Sequence, residues 1–216
     1  MKTYAVITGD ITNFTRLDHE RREELIGDTD ELIKKWVKRP EDAAIFRGDS
    51  FQLLFDDLEV AVLRCIQLVC WFRKQAEKES PGLGARIAVG IGGLAFQGKT
   101  VLDSDGEAFH LSGRNFDTME PGELIRIVTG DEDLNEQLAV LLMFLNLVIN
   151  DWTPHMAEVI YWVLEDQNAT QDKIARRLNI FQSNIAKRLK IAHWKEVEKA
   201  AKYIALQLQK TNTHGN

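Results

Sequence analysis

Two cysteines, four prolines and no long unbroken apolar stretch set the first limits on this 216-residue chain. Cys65 and Cys70 sit five residues apart in one helical stretch, so their side chains diverge and no disulfide framework holds the fold. The longest apolar run, Leu138 to Ile149, is interrupted by Asn146 and falls short of the roughly 20 residues a bilayer requires. It reads as a buried helix, and no membrane contact is expected. The first strand begins almost at Met1, which leaves no room for a signal or transit peptide and predicts a cytoplasmic protein. Five histidines are scattered without metal-ligand spacing, neither serine nor cysteine has a nucleophile context, and no lysine follows Gly92-Gly93 as a P-loop would require. With 44% hydrophobic residues, the chain can bury a core for one domain and a small second one.

Two aspartates stand out. In Ile45-Phe46-Arg47-Gly48-Asp49-Ser50-Phe51-Gln52-Leu53-Leu54-Phe55, two apolar strands flank a tight turn with Asp49 at its tip, where packing has no use for a charge. Near the start, Tyr4-Ala5-Val6-Ile7 runs as a buried strand into Asp10-Ile11-Thr12-Asn13-Phe14-Thr15 and then a helix, whose free N–H groups would attract phosphate. Carboxylates at neighbouring strand ends suit a hard divalent cation carried on a nucleotide. Turn aspartates are also common without any metal.

A third block, Arg86-Ile87-Ala88-Val89-Gly90-Ile91-Gly92-Gly93, precedes Asp103-Ser104-Asp105-Gly106-Glu107-Ala108-Phe109-His110-Leu111-Ser112-Gly113-Arg114. In order and spacing the three blocks resemble the class III nucleotidyl cyclases. Within that superfamily the chain is most similar to the SatD-type bacterial proteins, through the Gly-Asp-x-Phe-Gln hairpin and the helix start at Ala108-Phe109-His110. The hairpin also resembles that of diguanylate cyclases, but Arg47 and Ser50 break that signature.

The resemblance implies that Asp10 and Asp49, with the Ile11 carbonyl, hold Mg2+ or Mn2+. It implies that Thr12, Asn13, Phe14, Thr15 and Gly48 surround the triphosphate of a purine nucleotide and that Asp103 reads the base. Arg114 would stabilise charge on the phosphate under attack. His110 stands where active cyclases carry a ribose-orienting asparagine, and Ile45 where adenine-specific ones carry lysine, so binding is expected rather than turnover. The glycines Gly90, Gly92 and Gly93 read as sites of close backbone approach. The cyclase site is shared between two subunits, so the resemblance also implies a homodimer.

Periodicity places a strand at Tyr4 to Thr8, a helix from about Asp18 to Lys38, the hairpin, a helix from about Leu58 to Lys78, and a strand at Ala85 to Ile91. A helix from Ala108 to about Met119 and a strand at Leu124 to Val128 follow. This order predicts an α+β fold: a ferredoxin-like, class III cyclase-like antiparallel sheet with helices on one face. The polar stretch Thr129-Gly130-Asp131-Glu132-Asp133 divides residues 1–130 from an all-helical region, 131–216.

That second region opens with apolar helices Leu134 to Trp152 and His155 to Glu165. From Gln171 to Leu189 it has a helix-turn-helix pattern: Thr170 as cap, Ala175 at the helix crossing, Asn179 in the turn, and Ile174, Leu178, Ile180, Ile185 and Leu189 as a small core. Between Ala169 and Lys210 stand ten Lys and Arg against three Asp and Glu, a balance of +7 in a chain of net −6, leaving −13 elsewhere. A basic end on an acidic body suits a polyanion. Gln182, Ser183 and Asn184 would face base edges of DNA, with Lys187, Arg188 and Lys190 on phosphates. The reading is a nucleotide-responsive bacterial transcription regulator. The alternative is an active purine-nucleotide cyclase whose C-terminal helices serve dimerisation or partner binding.

Overall fold

The computed structural model describes residues 2–76, 82–166 and 168–211. Its N-terminal half is a five-stranded sheet built from β1 (Tyr4–Thr12), β2 (Ala43–Phe46), β3 (Ser50–Phe55), β4 (Gly84–Gly92) and β5 (Ile125–Thr129), in the order β2-β3-β1-β4-β5. The first four strands pair antiparallel, but β5 runs parallel to β4. The sheet is therefore mixed, not wholly antiparallel. A crossover helix between β4 and β5 permits this, because parallel neighbours need such a connection.

Three helices interleave with the strands: α1 (His19–Trp36), α2 (Leu58–Lys74) and α3 (Glu107–Asp117). Asp18 caps α1 by accepting from the Arg21 N–H, and Asp57 caps α2 by accepting from Glu59 and Val60. Residues 77–78, expected to extend α2, lie outside the described part. On α1, Leu25, Thr29, Leu32 and Ile33 form the buried stripe that helical periodicity requires. The helix α2 is buried on almost every side, including both cysteines.

Helices cover both faces of the sheet rather than one. Ala5, Ile7, Leu53 and Phe55 point into the large core with α1 and α2, while Val6 and Leu54 point the other way, onto Val101 and Ala108. This is the two-residue alternation of a strand carried through to both faces. On that second face α3 lies so close that a Cβ on Gly90 would stand 2.1 Å from the Ala108 carbonyl oxygen. The Thr8 and Ser112 hydroxyls meet there at 3.0 Å, and Gln52 Nε2 donates to Thr8 Oγ1 at 3.1 Å.

The C-terminal helices are α4 (Glu132–Asn150), α5 (Pro154–Glu165), α6 (Gln171–Leu178), α7 (Gln182–Ile191) and α8 (Trp194–Thr211). The main core does not stop at residue 130. It continues through Leu138, Leu145 and Ile149 of α4, Ile160 of α5 and Ile204 of α8, which pack with the α2 side of the sheet. Arg73 of α2 donates to the carbonyls of Ile149 and Trp152, and Gln67 donates to Glu165 at 2.7 Å. The two halves differ in their elements and share one interior.

Two asparagines of α4 finish the sheet. Asn146 Oδ1 accepts from the Ile125 N–H and its Nδ2 donates to the Ile125 carbonyl, both at 2.9 Å. Asn135 does the same for Thr129, at 2.8 and 2.9 Å. Each side chain stands in for a neighbouring strand, satisfying groups that an edge otherwise leaves open.

Candidate functional site

The register of β1 and β3 sets Asp10 opposite Ser50, so Asp49 sits beside the end of β1 at the turn of the β2–β3 hairpin. The Ile11 N–H donates to the Asp49 carbonyl at 2.9 Å, which points the Ile11 main chain toward the turn. Arg47 and Gly48 close that turn with φ of 54° and 89°, the left-handed region that glycine enters without steric cost. Asp10, Ile11, Asp49 and Gly48 are thus gathered at one end of the sheet, as the sequence predicted.

Asp10 is already paired. From the facing position on β4, Arg86 donates Nη2 to Asp10 Oδ2 at 2.6 Å and Nε to Oδ1 at 3.2 Å. The guanidinium also lies 5.2 Å from the Phe116 ring centroid of α3. The Asp10 contact raises the Arg86 pKa further above its ordinary value. Arg86 opens the Arg86–Gly93 block, yet its partner emerges only from the cross-strand register. In kind, two carboxylates and a backbone carbonyl suit a hard divalent ion. Such an ion competes with Arg86 for Asp10, and among the described residues no group of three or more His, Cys, Asp or Glu could hold a metal without outside ligands. Residues and ion fit only if a phosphate completes the shell and Arg86 gives way.

The segment after β1 differs from the expected phosphate cradle. It is a three-residue 3-10 turn, Phe14–Arg16, and α1 starts only at His19. The first turn of α1 is occupied by the Asp18 carboxylate, which satisfies an N–H and repels an anion. Phe14 is buried in the core, and Asn13, with φ of 59°, donates Nδ2 to the Gly82 carbonyl at 2.7 Å. Thr12 Oγ1 reaches the same carbonyl at 3.5 Å, and the Thr15 carbonyl accepts from Arg22 at 2.5 Å. The Thr12 and Asn13 side chains and the Thr15 carbonyl thus brace the loop.

Among the described residues, Asp103, His110 and Arg114 make no hydrogen bond or ion pair with Asp10 or Asp49. Asp103 ends a 3-10 turn and accepts from Thr100 Oγ1 at 2.7 Å. The helix α3 begins at the far end of β4, where Glu107 accepts from the Gly93 N–H at 3.2 Å. His110, half-exposed, bonds Asp105 at 2.7 Å and holds that carboxyl below its usual range. Arg114 is exposed one turn later, two residues before the Phe116 ring that faces Arg86.

In the helical region, Thr170 caps α6, and Asn179 takes the left-handed conformation with φ of 52°. The Ile180 N–H closes the turn onto the Ala175 carbonyl at 3.0 Å. Ile174, Ala175 and Ile185 bury against Val159 of α5, with Leu178, Ile180 and Leu189 around them. Gln182, Ser183, Asn184, Lys187 and Lys190 are exposed, whereas Arg188 is half-buried. Phe181, at the N-cap of α7, is 80% exposed, and Gln182 Nε2 donates to Gln171 Oε1 at 2.6 Å. Sequence reasoning passed over Phe181. Its signal was a large apolar residue in a polar turn.

No protein-family model, no curated protein and no solved structure matches this chain. Among the described residues, no helix is long and apolar enough to cross a membrane.

Proposed function

We propose that this protein is a DNA-binding regulator in which α6 and α7 form a helix-turn-helix and the Asp10–Asp49 end of the sheet receives a magnesium- or manganese-bound purine nucleotide. The observation that carries the reading is the first turn of α7. Gln182, Ser183 and Asn184 face solvent together, while Ile185, the next residue, is fully buried against α5. A recognition helix needs base-reading groups at its start and a rigid anchor behind them. Phe181 adds an apolar face suited to a thymine methyl, and Lys187 and Lys190 supply phosphate contacts.

For the other half, β1-α1-β2-β3-α2-β4 is the element order of a ferredoxin-like domain, as in the class III cyclases the sequence resembles. A bound divalent ion would supply positive charge for the phosphates, with Asp10, Asp49 and the Ile11 carbonyl as its protein ligands. Turnover is not proposed, because His110 stands where active cyclases carry the asparagine that orients the ribose, and alignment of the attacking hydroxyl governs the rate. The core shared by α2, α5 and α8 gives the two halves a mechanical connection. Fluorescence anisotropy of the intact chain on mixed genomic DNA fragments, with and without magnesium and each purine triphosphate, tests the proposal. Salt-dependent binding that changes with nucleotide is the expected result. Absence of DNA binding overturns the regulator, and release of a cyclic nucleotide favours the enzyme.

A further inference from the structure

The outer edge of β5 is closed at two residues and open at the one between them. The Ile87 N–H donates to the Leu124 carbonyl at 2.8 Å. In a parallel pair this turns the main-chain groups of Leu124, Arg126 and Val128 toward β4 and those of Ile125, Ile127 and Thr129 outward. Asn146 and Asn135 take both groups of Ile125 and Thr129. Between them, α4 presents Ala139 and Leu142, which have no polar side-chain atom. The outward N–H and C=O of Ile127 consequently have no protein partner among the described residues.

The Ile127 side chain belongs to the main core, and the residue is only 3% exposed. What it shows to the neighbouring groove is therefore its main chain. That groove, between β5, α4 and the end of α3, has a volume of about 820 Å3, within the range of small-molecule sites. Leu142, Met143 and Leu147 make it predominantly apolar. Arg126 is not available to bind an anion, being held by Glu123 at 2.5 and 2.8 Å and by the Asn115 carbonyl at 3.2 Å.

We propose that the groove binds a small, unphosphorylated aromatic molecule whose carboxamide-type edge, an acceptor beside an N–H donor, pairs with the main chain of Ile127. The protein already displays the fit. The amides of Asn135 and Asn146 meet the two flanking residues with that same acceptor–donor spacing, at 2.8 to 2.9 Å. Those asparagines also block a partner strand, which would find only one residue left to pair. Primary carboxamides, lactams and the amino edge of a free purine base share the required chemistry. The site is separate from Asp10 and Asp49, which lie at β1 and the β2–β3 hairpin, away from β5.

The test uses the intact protein with benzamide, adenine and N,N-dimethylbenzamide, the last lacking the donor. Binding is read by calorimetry and by the Ile127 amide resonance. Benzamide or adenine should bind and shift that resonance, and the dimethyl analogue should bind about tenfold more weakly, as a lost hydrogen bond predicts. Ala139→Asn, at an exposed position of α4, would offer Ile127 a third asparagine and should cut benzamide and adenine binding by a similar factor. Comparable binding of benzamide and its dimethyl analogue, or undiminished binding to the variant, would overturn the proposal. So would refusal of all three probes by a protein that sediments as a dimer and becomes monomeric on Phe144→Glu, since a second copy then covers the groove. Refusal by a monomer overturns it equally.

Discussion

Arg86 grips both carboxylate oxygens of Asp10 across the β4–β1 ladder, at 2.6 and 3.2 Å, and so holds the group that a metal would claim. The Asp10 side chain is 23% exposed, partly shielded from water. Changing Arg86→Gln leaves its charge unpaired and should cost about 2 kcal/mol in urea unfolding with a chelator present. Manganese should then stabilise the variant more than the wild type, because its competitor is gone. Asp10→Asn/Arg86→Gln should regain part of the loss and ignore the metal. If manganese shifts wild type and Arg86→Gln equally, Asp10 is not a ligand.

Gly90 and Gly113 make opposite predictions on either side of one contact. A Cβ on Gly90 would meet the Ala108 oxygen at 2.1 Å and the Ser112 nitrogen at 2.5 Å, both backbone atoms of α3 that cannot rotate away. Gly90→Ala should destabilise by about 3 kcal/mol or more, the upper range for overpacking. Nothing lies within 4 Å of the corresponding atom on Gly113, within α3 itself. There, Gly113→Ala should stabilise by up to about 1 kcal/mol through helix propensity. Chemical denaturation of both variants checks the pair.

Much of this arrangement is legible in the residues. The apolar runs Tyr4 to Ile7 and Phe51 to Phe55 identify the strands, and Asp18, Thr153, Thr170 and Asn179 mark helix ends where the structure has them. Gly90 reads correctly as a place of close approach. Two features stay hidden because they depend on which strands become neighbours. The direction of β5 cannot be read from Ile125 to Thr129 themselves. The Asp10–Arg86 pair spans 76 residues and needs the β1–β4 register to exist. Asn146 is an intermediate case. Its interruption of an apolar run is visible, but its partner, the backbone of Ile125, is not.

Burial, and then the nearby Glu165, push the Tyr161 phenol up to about 12 from an ordinary value near 10. Its ring is packed edge-on against Trp162 at 4.9 Å and tilted against Trp71 at 5.5 Å. Because the folded value lies above the unfolded one, the neutral phenol contributes stability that is full below pH 10 and lost as the pH rises through 12. Urea midpoints should therefore fall between pH 10 and 12, and the fall should shrink in Tyr161→Phe. Absorbance at the phenolate band should show one tyrosine titrating near the top of that window and vanishing in the same variant. A midpoint curve unchanged by Tyr161→Phe would assign the alkaline loss to another group.

Exposed side chains on α7 divide by what they would touch. Lys187 and Lys190 are exposed, so either alanine substitution should weaken binding to every DNA sequence and lower the salt slope by about 0.9, one released counterion each. Arg188 is half-buried beside them, and Arg188→Ala should change that slope less than Lys187→Ala. Asn184 stands in the first turn, where side chains meet base edges. Asn184→Ala should leave the salt slope in place and erase about 1–3 kcal/mol of preference between the best site and its single-base variants. These comparisons need the intact chain, since removing residues before Leu134 would strip α5 and α8 of the α2 surface they share. A salt slope that no lysine substitution moves would assign the basic face of α7 to solvent rather than to a phosphate backbone.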